Sequence, residues 1–295
     1  MTSNRSAAFF ALALLAPALI YILIIVAYPL FDTIVLSFTN AALRPTYDFV
    51  GWANYTRIFT AGNFTEVIIR TFVWTFFSVA TKMVIGTLGA TLLNAAIPGQ
   101  TVFRILTMPP WIVPMAIGIF MWGWMYNGQF GMISGILQNI GFISKPWPIL
   151  AQGNSAFWAT IVTDVWIGVP MVTIYMLAAM QSIPKDLYEA AWTDGASRGY
   201  RFTRITLPLL VPALLTMSLL SMIATFNSFD IIWILTQGGP SGDTTTMIID
   251  TYKTAIGSRK YGEGAARAVV ICIFVSIFCI VYFRAVRKLS QGEAK

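Results

Sequence analysis

Long apolar runs separated by short polar stretches set the pattern of this chain. The runs cover residues 7–30, 71–94, 103–126, 156–180, 206–235 and 266–283. Each is long enough, at about 1.5 Å per helical residue, to cross roughly 30 Å of hydrocarbon. The predicted fold is an all-α integral membrane protein of six transmembrane helices, one transmembrane domain over 1–295. The first run reaches Tyr28 uncharged and without a small-residue cleavage pattern, which predicts a retained helix rather than a signal peptide. Pro17 and Pro29 are expected to bend or end it. Gly99-Gln100 reads as a tight turn. The third run holds Met108-Pro-Pro-Trp-Ile-Val-Pro114, whose prolines should break it; broken helices at membrane depth are tolerated against protein or a hydrated cavity. The fifth run ends in Thr236-Gln-Gly-Gly-Pro240, a strong turn signal.

One polar stretch has a helical pattern of its own. Between Ile183 and Pro208, Pro184 suits a first helical turn. Leu187, Ala190 and Ala191 make an apolar side, with Lys185, Asp186 and Glu189 polar. Asp194-Gly195 predicts a turn with positive φ at the glycine. A second short helical piece is expected from about Ala196, with Arg198, Arg201 and Arg204 three apart, and Pro208 marks the next apolar run. Two short amphipathic helices joined by a turn at a membrane surface have the shape of a docking element.

Composition narrows the class. The 295 residues are 57% hydrophobic and 11% charged, with mean hydropathy +0.72, whereas soluble domains carry about 25% charged residues. The net charge of +7 is therefore read as membrane-surface asymmetry rather than nucleic-acid affinity. Lys and Arg in the polar stretches and at the ends of the runs number ten on the side of the 183–208 stretch. The other side has eight: Arg44, Arg57, Arg70, Lys145, Lys253, Arg259, Lys260 and Arg267. That margin puts the termini and the stretch in the cytoplasm. There is no histidine, which removes imidazole bases and the commonest metal ligand. Cys272 and Cys279, seven apart on one apolar helix, cannot meet in a disulfide and read as packing residues. No Gly-x-x-x-x-Gly-Lys-Ser/Thr loop is present to cradle nucleotide phosphates.

Ionisable groups inside apolar spans cost about 2.5–3.5 kcal/mol each on insertion scales and need a partner or a task. Lys82 and Asp164 stand in that position. They either pair with each other or line a hydrated cavity; pairing is the reading favoured for Lys82, a cavity role that for Asp164. Trp122, Trp124 and Tyr126 read as an interfacial aromatic belt.

Glu189-Ala-Ala-x-x-Asp-Gly-Ala196, followed by Phe202, Ile205, Leu207-Pro208 and Pro212, resembles the EAA loop of bacterial ABC importer permeases of the carbohydrate-uptake, maltose type. The resemblance extends over Pro17 to Phe283. It implies that Glu189, Ala190, Ala191, Asp194, Gly195, Ala196, Arg198 and Phe202 dock the loop into an ATPase subunit. Val50-Gly-Trp-Ala-Asn-Tyr55 is similar to a short external element of the same permeases, and serves equally as an interfacial anchor. By residue-level resemblance a sugar site falls on Trp111, Met115, Asp164, Ile167, Gly168, Thr225, Asn227, Ser228 and Asp230. At most of these positions the residue type differs from the maltose permease, so the location carries over better than the sugar. Aromatic faces over pyranose C–H groups, with carboxylate, amide and hydroxyl groups on its hydroxyls, suit a sugar chemically. The implied partners are a second, different permease chain, a dimer of ABC ATPases that bind the ATP, an extracytoplasmic sugar-binding protein and the bilayer, with no cofactor or metal on this chain. The competing reading is an ion-coupled secondary transporter, which should show inverted repeats and a relay of membrane acids; neither is evident.

Overall fold

The computed structural model describes residues 3–43, 47–60, 62–95 and 100–292. Gly99 of the expected Gly99-Gln100 turn lies outside them, as do Arg44 and Lys295 of the charge count. The described chain is helical nearly throughout, in the order α1 (Ser3–Ile22), α2 (Tyr28–Leu36), α3 (Ala53–Thr60), α4 (Phe64–Asn94), α5 (Gln100–Thr107), α6 (Pro109–Ile112), α7 (Met115–Met125), α8 (Met132–Asn139), α9 (Gly153–Gln181), α10 (Lys185–Thr193), α11 (Arg198–Arg201), α12 (Leu207–Phe226), α13 (Asp230–Thr236), α14 (Met247–Tyr252) and α15 (Tyr261–Gly292). Among these residues five stretches are long and apolar enough to cross a membrane: Leu12–Leu36, Phe64–Asn94, Gly153–Gln181, Arg198–Phe226 and Tyr261–Arg284.

The third expected crossing is in pieces. Pro109 and Pro110 occupy the first turn of α6, and Val113 and Pro114 turn to extended ψ angles of 131° and 129° before α7 restarts. A proline in the first helical turn gives up no ladder bond, and the residue before a proline is biased toward extended ψ, as Val113 is before Pro114. The fifth run also stops short of Leu235. α12 ends at Phe226, and α13 begins only at Asp230, after Asn227, Ser228 and Phe229. Asn227 turns its amide back onto the Ile223 carbonyl (2.9 Å), a local bond that competes with the helix ladder.

The helix does not end at Pro29, and it enters the fifth run ahead of Pro208. Tyr28 N–H reaches back five residues to the Leu23 carbonyl, and Leu207 N–H to that of Phe202. Each wide π turn immediately precedes a proline, Pro29 or Pro208, whose missing N–H would otherwise interrupt the ladder. The helix therefore runs from Arg198 through Pro208 to Phe226, rather than starting with the apolar run at 206.

The chain forms two compact units, residues 1–65 with 250–274, and residues 66–249 with 275–295. In the first, a polar staple fixes the hairpin that follows α2. Buried Asn54 donates to the carbonyls of Ser37 (2.9 Å) and Thr39 (2.7 Å), Tyr55 OH bonds the Ser37 hydroxyl (2.7 Å), and Gly262 N–H donates to Ala41 (2.9 Å). Gly262 permits that approach, since a Cβ there would lie 2.0 Å from the Thr39 carbonyl oxygen. Glu263 is paired with Arg57, Arg267 (3.7 Å) and Lys260 (3.7 Å), and Arg267 also with Asp250 (2.7 Å).

In the second unit α9 is the centre, packed against α6, α7, α12 and α13. One cluster joins Ala90 of α4, Val172, Met176 and Met180 of α9, Ile183, and Leu210 and Met217 of α12. Another joins Trp74, Phe157, Ile161, Val165, Ile232 and Ile249. Small residues bring α4 close to α9: a Cβ at Gly86 would meet the Val172 side chain at 2.5 Å. Without a hydrophobic drive inside lipid, such close backbone approach is a main source of helix association.

Candidate functional site

A polar stripe runs along the inner face of α4. Thr75, Ser78 and Lys82 are three and four residues apart and thus on one helix face, and all three are buried. Across from them α9 presents Asp164 and α12 presents Thr225, each 5% exposed or less. Lys82 Nζ lies 2.5 Å from Asp164 Oδ2, an ion pair whose angle falls outside hydrogen-bond geometry. The same ammonium donates to Thr225 Oγ1 at 3.0 Å. One cation thus ties three helices together. Gly168, one turn along α9 from Asp164, makes room for it: a Cβ there would lie 2.7 Å from Lys82 Cε. The pairing expected for Lys82 is what forms, and Asp164, read as a cavity group, is its partner.

The other residues of the expected sugar site lie on α9, α6, α7 and the junction of α12 with α13. Ile167 and Gly168 are half-buried on the Asp164 face of α9. Trp111, on α6, is 60% exposed, and Met115 opens α7 at 41%. In the α12–α13 break Ser228 is half-buried, while Asn227 and Asp230 are exposed. The structure therefore joins Asp164 and Thr225 through Lys82, and leaves Trp111, Met115, Asn227 and Asp230 open within this chain. The sequence reading missed Thr225's partner and the hydroxyls of Thr75 and Ser78, which are buried without a hydrogen bond. Their signal was present as polar residues at helical spacing inside an apolar run. Beside the stripe, a cavity of about 470 Å³ between α4 and α12 is lined by Phe72, Thr75, Phe76, Met83, Ser218 and Met222.

The aromatic belt needs correction at one end. Tyr126 is buried and donates to the Ala159 carbonyl (2.9 Å), and Trp122 packs edge-on against Trp166 at 5.8 Å between centroids. Only Trp124, 74% exposed, has the exposure of a belt residue. Cys272, read as a packing residue, is exposed.

The 183–208 stretch has the expected turn. α10 closes with Gly195 at φ +76°; Gly195 N–H bonds the Trp192 carbonyl (3.0 Å) and Ala196 N–H that of Ala191 (2.9 Å), a Schellman end. Ser197 then caps α11, accepting from Tyr200 N–H (3.3 Å). Ile183 and Tyr188 root the stretch in the α4–α9–α12 cluster, and Tyr188 OH bonds Thr206 Oγ1 (2.9 Å). Beyond that root the apolar side lies uncovered: Leu187 is 44% and Trp192 72% exposed, and Glu189, Ala190, Asp194, Gly195 and Arg198 are exposed, with Ala191, Ala196 and Phe202 half-buried.

Five helices of membrane-crossing length, a buried charged node and an uncovered amphipathic stretch are the features of an integral membrane protein. The chain belongs to the binding-protein-dependent transport system inner membrane components, matched over residues 8–294. It is 36% identical to the trehalose/maltose transport system permease protein MalF of Thermococcus litoralis, over 93% of this chain and 92% of that one. It is 32% identical to the sulfoquinovosyl glycerol transport system permease protein SmoG of Agrobacterium fabrum, over 94% and 90%. The fold is similar to a chain of the bacterial alginate ABC transporter in complex with its alginate pentasaccharide-bound periplasmic protein, with TM-score 0.86, 19% identity and coverage of 99% and 98%.

Proposed function

We propose that this chain is the permease subunit of an ABC importer for an uncharged sugar, one half of a pathway completed by a second, different permease. The 36% identity to a trehalose/maltose permease across nearly the whole chain carries the reading. The whole of 1–295 acts as one transmembrane domain of six crossings, the third made by the broken α5–α7 segment. ATP is bound by separate ATPase subunits, and the 183–208 loop docks into them through its uncovered Leu187–Trp192 side. The sugar is delivered by an extracytoplasmic binding protein.

Trp111, Met115, Asp164, Ile167, Gly168, Thr225, Asn227, Ser228 and Asp230 are the proposed sugar contacts. Their charge supports a neutral substrate. Lys82 is neutralised by Asp164 at 2.5 Å, which leaves Asp230 as the charge of the set with no ion pair among the described residues, and a carboxylate repels an anionic sugar. Competition against uptake of labelled trehalose or maltose in the reconstituted complex tests this. Neutral disaccharides are expected to compete and uronate or sulfonate sugars not to; the reverse order would overturn the neutral-sugar assignment.

A further inference from the structure

We propose that a cavity in the first unit, between the hairpin after α2, α3 and the start of α15, binds the phosphate headgroup of an anionic phospholipid. The cavity has a volume of about 270 Å³ and is lined by Ala41, Val50, Asn54, Arg57, Lys260 and Glu263. Its ionic groups are unequal. Glu263 has a cation near each oxygen, Arg57 and Lys260 at Oε1 and Arg267 at Oε2. Arg57 engages the carboxylate through Nη1, and Lys260 stands 3.7 Å from it, beyond hydrogen-bond reach. Both cations are more than half exposed, at 61% and 56%, so the guanidinium and the ammonium keep N–H donors for another anion. Asp48, the hairpin's other carboxylate, faces Asn40, donating its backbone N–H to the Asn40 side chain (2.7 Å).

The surroundings select a lipid source. Phe38, Phe49, Trp52 and Tyr55 form an aromatic cluster on the hairpin and α3. Trp52 and Phe49 are 69% and 77% exposed, the disposition of residues at headgroup level. On α2, Leu30, Phe31, Ile34 and Val35 are exposed and offer a surface for acyl chains. With the termini cytoplasmic, the polar stretch that follows the first crossing is outside the cell. Of the seven described cations counted on that side, five, Arg57, Lys253, Arg259, Lys260 and Arg267, belong to this unit.

The test uses the full chain in its complex, solubilised from bilayers of phosphatidylcholine containing phosphatidylglycerol, with retained lipid measured by native mass spectrometry. Phosphatidylglycerol should be retained selectively. R57Q/K260Q should weaken that retention roughly thirtyfold, the scale for two cations near a membrane surface, and E263Q, which removes the competing carboxylate, should strengthen it. Inorganic phosphate is titrated in parallel: failure to displace the lipid assigns a lipid site, and displacement at low concentration assigns the same cations to a soluble phosphate. Should the double variant unfold at lower temperature, K260Q alone decides, since its pair contact is the long one. Equal retention of both lipids, or retention unchanged in these variants, overturns the proposal. So does loss of binding-protein affinity in R57Q/K260Q without any lipid effect, which would make the cavity a protein contact.

Discussion

Asp164 and Lys82 show why a charge inside a span cannot be read alone. From the sequence, Asp164→Ala is expected to impair transport and leave assembly intact. The 2.5 Å ion pair changes the expectation, because removing one partner leaves the other charge buried, at a cost of about 3–5 kcal/mol. Asp164→Ala should therefore lower the thermal stability of the complex as well as uptake. The double variant Lys82→Met/Asp164→Asn should regain most of that stability, since no charge is stranded, yet still transport poorly if Asp164 contacts sugar. Full uptake by the stable double variant would reduce Asp164 to a structural role. Gly168→Ala should act through the same node: the added Cβ meets the Lys82 stem at 2.7 Å, and overpacking of this kind costs about 1–3 kcal/mol. The cost should fall at the low end, because a lysine stem can shift. A melting temperature unchanged by Gly168→Ala would show that the Lys82 position is not set by this contact.

At the scale of elements, apolar runs and prolines made most of the helices legible. The breaks around Pro109, Pro110 and Pro114 follow from ring sterics, and Gly195 takes the positive φ that its place after Asp194 predicts. Of the bend or end expected at Pro29, no end occurs, and helix also precedes Pro208; the sequence does not show that a π turn can absorb a missing N–H. The end of α12 at Phe226 was hidden for a similar reason: Asn227 and Ser228 are common enough in membrane helices, and only Asn227's bond to Ile223 shows the ladder stopping. Trp111, Met115, Asn227 and Asp230 came from resemblance alone, and within this chain they are exposed. Gly195→Val tests the turn. A β-branched residue at φ +76° is strongly disfavoured, although nothing lies within 4 Å of a Cβ there. The variant should insert and bind loaded binding protein normally, while the complex loses stimulation of ATP hydrolysis by that protein. Retained stimulation would show that the 183–208 loop does not couple the subunits.

For the molecule as a whole, the narrow charge asymmetry now has a physical reason. The sequence count of ten cations against eight treats every Lys and Arg as free. Arg57 and Arg267 are engaged with Glu263 and Asp250, and Arg70 donates to the Gly242 carbonyl (3.0 Å), so part of the external charge is bound up in holding loops. The central claim is that this chain moves solute only as a passive half-pathway driven by ATPase partners. Its most direct test is uptake of labelled sugar into proteoliposomes, comparing the full complex with the isolated chain under ATP and under imposed proton or sodium gradients. The account predicts uptake by the full complex that requires internal ATP and loaded binding protein, and none by the isolated chain under any gradient. Gradient-driven accumulation by the isolated chain would contradict it and identify a secondary transporter.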